Sequence, residues 1–83
     1  MNFSLVTLPA AEEALLRLFV DAPDRRRFEE AVWALEARLM DDPWQNSREL
    51  GGGVYTDDEP PVRLFFRVRR RDATVVIGHA AWV

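Results

Sequence analysis

Eighty-three residues make one small domain, residues 1–83, with room for a single core and little stability to spare. There is no Cys and only one His, which excludes a disulfide framework and argues against a structural zinc site. All eleven basic residues are Arg, yet the net charge is -3, so a grip on nucleic acid would need a local basic excess rather than a global one.

No apolar run approaches the roughly 20 residues of a membrane span. Met1-Asn2-Phe3-Ser4 lacks a basic segment followed by an apolar one, so no signal peptide is read. The expectation is a soluble, cytoplasmic protein with no membrane partner and no cofactor or metal.

Phe3 to Leu8 reads as a short first strand. Thr7 is placed to cap a helix, and Pro9 suits its first turn, where the missing N–H has no partner in any case. Glu12 and Glu13 lie where the positive end of the helix dipole favours carboxylates. Ala11, Leu15, Leu18, Phe19 and Ala22 follow helical spacing until Pro23 stops the helix.

Asp24 then reads as the N-cap of a second helix. Phe28, Val32, Leu35 and Leu39 form its apolar stripe, and Asp42-Pro43 ends it. Trp33, Ala37 and Met40 form a second stripe, either a widening of the core face or a surface for another chain. The short break at Ala22-Pro23 makes the two helices an antiparallel αα-hairpin.

Trp44 to Gly53 reads as a connector in which Gly51-Gly52-Gly53 bends the chain back. No Lys-Ser or Lys-Thr and no helix follow these glycines, so they are not a phosphate-binding P-loop. Val54-Tyr55-Thr56 is a short strand, and Asp57 to Pro61 a polar turn. Tyr55 either stacks on a base or packs on the sheet.

Val62 to Arg69 alternates: Val62, Leu64, Phe66 and Val68 face a core, while Arg63, Phe65, Arg67 and Arg69 face away from it. Arg70-Arg71-Asp72-Ala73 is a hairpin loop, and Thr74-Val75-Val76-Ile77 starts a strand that runs towards Val83. If Arg69 pairs with Thr74, Leu64 lies opposite His79, and His79 points with the core. A one-residue change of register would turn it to the arginine face. Trp82 either closes the core or meets a partner. The expected fold class is α+β, in the order strand, helix, helix, strand, strand, strand. The helical hairpin packs on one face of a three- or four-stranded antiparallel sheet.

With Leu39-Met40-Asp41-Asp42-Pro43, Ser47-Arg48-Glu49, Val62 to Val68 and Thr74 to Ile77 in this arrangement, the chain resembles the RelE/ParE family of toxin–antitoxin toxins. The resemblance spans nearly the whole chain. It implies a toxin-like component of a type II system of the kind that stabilises plasmids, with an antitoxin as partner. RelE-like members cleave mRNA on the ribosome, and ParE-like members inhibit DNA gyrase. The resemblance puts a functional Arg at Arg63. The other functional positions of the nuclease members are Lys around the second strand and an Arg and a Tyr after the last strand. This sequence has no Lys and reads Trp82-Val83 there.

RNA cleavage needs a base for the 2′-hydroxyl, a cation for the phosphorane charge and an acid for the leaving group. Arg63 and His79 are the catalytic candidates, since His alone titrates near neutral pH unaided. Phe65, Arg67, Arg69, Tyr55 and Arg48 make up the candidate binding face, with Phe65 as a stacking platform or a site covered by a partner segment. Three outcomes stay open: an antitoxin-binding toxin-like protein, a ribosome-dependent mRNA endonuclease with a reduced Arg site, and a noncatalytic binding module. A homodimer is also possible.

Overall fold

The computed structural model describes residues 2–83. Strand β1 (Ser4–Thr7) leads into helices α1 (Pro9–Asp21) and α2 (Arg25–Asp41), then strands β2 (Arg48–Gly51), β3 (Val54–Glu59), β4 (Val62–Arg69) and β5 (Thr74–Trp82). The five strands form one sheet in the order β1-β5-β4-β3-β2. β1 runs parallel to β5, and every other neighbouring pair is antiparallel. The fold is α+β with both helices on one face, as the sequence pattern predicts.

Two features of the sheet depart from the expectation. It has five strands rather than three or four, and it is mixed. The added strand is β2, read in sequence as connector. Its four residues are all exposed, so it carries no apolar signal. The parallel pairing of β1 with β5 follows from the helical hairpin, which supplies the long crossover that parallel strands require.

Helix α1 starts without a side-chain cap. Leu8, not Thr7, is the N-cap; Thr7 belongs to β1, and Pro9 opens the helix. Its C-terminal end is closed from the next helix. Arg25 donates to the carbonyls of Phe19 (3.2 Å) and Val20 (2.9 Å) and lies over the Phe19 ring. Arg25 thus serves as a helix cap for α1. Asp24 caps α2 as expected, its carboxylate accepting from Arg27 N at 3.1 Å.

The core is built from Phe28, Leu35 and Leu39 of α2, Ala11 and Ala14 of α1, Val62, Leu64 and Phe66 of β4, and Val75, Ile77 and Ala80 of β5. Alanines at the α1 contact let that helix sit close on β5. Val32, Leu15, Leu18, Phe19 and Val68 are only partly buried. Trp82 is half covered, its ring edge against Phe28 with centroids 5.8 Å apart. The second α2 stripe does not widen the core: Trp33 is 61% exposed and Met40 41%.

Asp57, Asp58 and Glu59 belong to β3 rather than to a turn, and the turn is confined to Pro60-Pro61. The reason lies in α2. Arg38 reaches over and donates to both oxygens of Asp57 (2.8 and 3.4 Å), to Glu59 (2.6 Å) and to the Asp58 carbonyl (2.9 Å). Asp57 is 4% exposed, so its charge is held inside by this guanidinium fork. The hydrogen bond to Asp57 leads the effects that raise Arg38 above its ordinary value, against the opposing pull of burial. An acidic run that looks like a solvated turn is therefore a strand anchored to a helix.

Candidate functional site

The helices cover one face of the sheet and leave the other open. Residues directly opposite one another on neighbouring strands share a face, so the ladder registers sort the candidate residues. Arg69 pairs with Thr74 and Val68 with Val75, as the hairpin reading requires. Beyond Phe66 and Ile77 the register shifts, and Phe65 rather than Leu64 lies opposite His79. Gly78 is the extra residue on β5, a β-bulge of one. The bulge turns His79 away from the core and onto the arginine face, while Ala80 takes the buried place opposite Leu64. The unshifted ladder fails here because the repeat of two residues breaks at Gly78.

The rings of Phe65 and His79 pack with centroids 5.3 Å apart and planes tilted by 42°. Together with Leu8, Val54, Val76 and Arg67 they line a groove of about 310 Å³ that is almost wholly apolar. Val6 and Leu8 are 42% and 41% exposed beside it. The open face therefore has an apolar floor with cations at its margins, and of that floor the strand pattern of β4 alone shows only Phe65.

Those cations are held. Arg63 grips Asp58 through two hydrogen bonds of 2.7 and 2.9 Å. These bonds hold the Asp58 carboxyl below its ordinary value; burial opposes them, and attraction from Arg63 and Arg48 adds to them. They also raise Arg63 above its own ordinary value. Arg67 donates to the Gly52 carbonyl at 2.6 Å, and Arg69 pairs with Asp72 at 3.3 Å. Gly51, Gly52 and Gly53 all take positive φ in the β2–β3 turn, and a Cβ at Gly53 would stand 3.4 Å from the Arg67 guanidinium. The triple glycine thus shapes a turn that β4 fastens down. Arg48, opposite Thr56 at the edge of the same face, lines a polar cleft of about 450 Å³ with Arg38, Asn46, Thr56, Asp57 and Asp58.

Tyr55 does not join this face. It pairs with Phe66 and stacks on that ring at 5.9 Å, on the side of the helices. The structure thus brings Arg63, Phe65, Arg67, Arg69, Arg48 and His79 onto one face and places Tyr55 on the other. Leu8, Val54 and Val76 complete the groove, and nothing in their local sequence marks them as functional. Among the described residues no three His, Asp or Glu side chains converge as a metal site, and no helix is long and apolar enough to cross a membrane.

No protein-family model matches the sequence, and comparison with curated proteins finds no significant match. Solved structures do match. A chain of the RelBE2 toxin–antitoxin complex of Mycobacterium tuberculosis superposes with a TM-score of 0.83 at 19% identity, covering 100% of both chains. The archaeal RelE–RelB complex of Pyrococcus horikoshii gives 0.66 at 18% identity, over 99% of this chain and 96% of that one. The solution structure of the conserved hypothetical protein HP0892 of Helicobacter pylori gives 0.64 at 14% identity, over 96% and 93%. At such identities the likeness establishes the fold, which is RelE-like.

Proposed function

We propose that this protein is the toxin-like component of a toxin–antitoxin pair, and that its open sheet face receives an antitoxin segment or a cellular target. The observation that carries the reading is the fold match to the RelBE2 complex, which runs the full length of both chains. The open face fits the role. It presents an apolar groove at Phe65, Val76 and His79, bordered by Arg63, Arg67 and Arg69, so it suits an amphipathic segment with some acidic residues. Arg63 and Arg69 already have intramolecular partners, so the apolar floor supplies most of the binding and the arginines its orientation.

A second reading has one specific observation in its favour. The Gly78 bulge brings His79 onto the face of Arg63, which joins the only imidazole with a cation. Ribosome-dependent mRNA cleavage would then use His79 for proton transfer and Arg63 for phosphate charge. For Arg63 to act it must release Asp58.

Controlled expression with and without the adjacent reading frame tests both readings. Growth arrest relieved by co-expression of a small neighbouring protein supports the pair. Arrest that survives Arg63→Ala and His79→Ala, with no translation-dependent mRNA cleavage in vitro, would sink the nuclease reading and leave the binding one. If expression causes no arrest and no neighbouring product binds the protein, the toxin–antitoxin reading is wrong.

A further inference from the structure

We propose that the outward face of α2, on the opposite side of the molecule from the open sheet, docks a basic amphipathic helix of another protein chain. At about 100° per residue, Trp33, Ala37 and Met40 fall within an arc of about 60°. Phe28, Ala31, Leu35 and Leu39 are the buried residues of the helix and lie on its other side. The stripe has the four-three spacing of a helix-pairing seam. It is uncovered, with Trp33 61% exposed and Met40 41%. A Trp in mid-helix left in water is costly unless something else covers it, and Trp and Met are enriched where protein surfaces meet.

Charge chooses the occupant. Glu29 and Glu36 lie on one flank of the stripe and Glu30 on the other, so the seam runs between acidic rails. Glu30 has only a loose, exposed pair with Arg26 at 3.8 Å. Glu29 and Glu36 have no ion pair among the described residues. Partial burial raises the Glu36 carboxyl above its ordinary value, as expected of an acid beside apolar groups without a cation. Arg26 lies on the line of the stripe one turn before Glu30, so an apolar seam with Lys or Arg on both flanks answers this surface from Glu29 onward. Acidic rails repel nucleic acid and anionic lipid.

A second copy of the chain fits less well. Antiparallel α2 helices would set Glu29 and Glu36 against their own counterparts. The inference does not depend on the toxin–antitoxin reading, because it uses a different face.

The test uses the full chain and two synthetic helical peptides with the same leucine seam, one flanked by Lys and one by Glu. Fluorescence anisotropy measures affinity, and amide chemical shifts locate the contact. The Lys-flanked peptide should bind, shift Trp33, Ala37 and Met40, and weaken as salt is raised. Trp33→Ala should weaken it by about tenfold, the scale of an interface anchor. The exposure of Trp33 makes loss of the fold unexpected, and circular dichroism verifies this. Charge reversal with Glu29→Lys and Glu36→Lys should switch the preference to the Glu-flanked peptide. Three results would overturn the proposal: equal or absent binding of both peptides, shifts confined to the open sheet face, or Trp33-dependent self-association in sedimentation without peptide.

Discussion

Phe65 and His79 face each other across β4 and β5 with ring centroids 5.3 Å apart, and Gly78 is the residue that puts them there. The bulge shifts the ladder by one between Phe66 and Phe65. Every residue of β5 after it changes face relative to an unbroken strand. The composition of the open groove is therefore set by one inserted residue rather than by the residues that line it.

The bulge lends itself to a two-part test. Gly78 takes no positive φ, and a Cβ added there meets nothing within 4 Å. Gly78→Ala should therefore fold, change stability by less than about 1 kcal/mol, and keep the Phe65–His79 contact. Deleting Gly78 should return the strand to an unbroken repeat. With the extra residue gone, His79 should stay opposite Phe65 and Ala80 opposite Leu64, so the groove keeps its lining and only the local kink of the strand is lost. Aromatic nuclear Overhauser contacts between Phe65 and His79 should persist in both variants, and their loss in either would show that the groove is not set by this register.

The sequence pattern carried the helices, β4 and the closing hairpin because each buries one face, and burial imposes a period. Asp24 was legible because a cap acts locally. What the pattern could not carry was long-range. β2 is exposed throughout and is defined by its partner β3, not by its own residues. Asp57 looks like turn chemistry until Arg38, 19 positions earlier, supplies its counter-charge. The face of His79 depended on a bulge, and only pairing reveals a bulge. The arginine row was visible, but Asp58, Gly52 and Asp72 as its partners were not, so it looked more available than it is.

Arg38 should be the most sensitive polar residue in the molecule. It joins α2 to β3 and is the counter-charge of a carboxylate only 4% exposed. Arg38→Leu leaves Asp57 buried and unpaired and should cost about 2–3 kcal/mol. In a domain of this size that lowers Tm by about 10–20 °C. Adding Asp57→Asn should recover part of the loss, because the residual penalty is that of an uncompensated charge. Thermal denaturation of the two variants checks this, and additive losses would show that the pair is not coupled.

The Arg63–Asp58 pair should appear in the acid limb of stability. Asp58 has a lowered folded-state value, so its contribution is present above the unfolded value and is lost as pH falls through the folded one. Asp58→Asn should therefore lower Tm at pH 7, and the two curves should converge as pH drops below about 4. Both partners are about a third exposed, so the difference should stay within about 5 °C and shrink as salt is added. A gap that persists at pH 2 would assign the effect to packing rather than to charge.

Glu36 should show the opposite sign. Burial raises its folded-state value, so ionised Glu36 opposes folding, and its neutral form is the better tolerated. The relative stability it confers is complete below the unfolded value and is lost as pH rises through the folded one. Glu36→Gln removes that loss. The variant should gain about 2 °C in Tm at pH 7 and match the parent near pH 3.5. Crossing this substitution with a bound Lys-flanked helix separates cost from use. If Glu36 is kept as a docking charge, the variant that is more stable alone should bind that helix more weakly. The same carboxylate would then be unfavourable in the free protein and favourable in the complex.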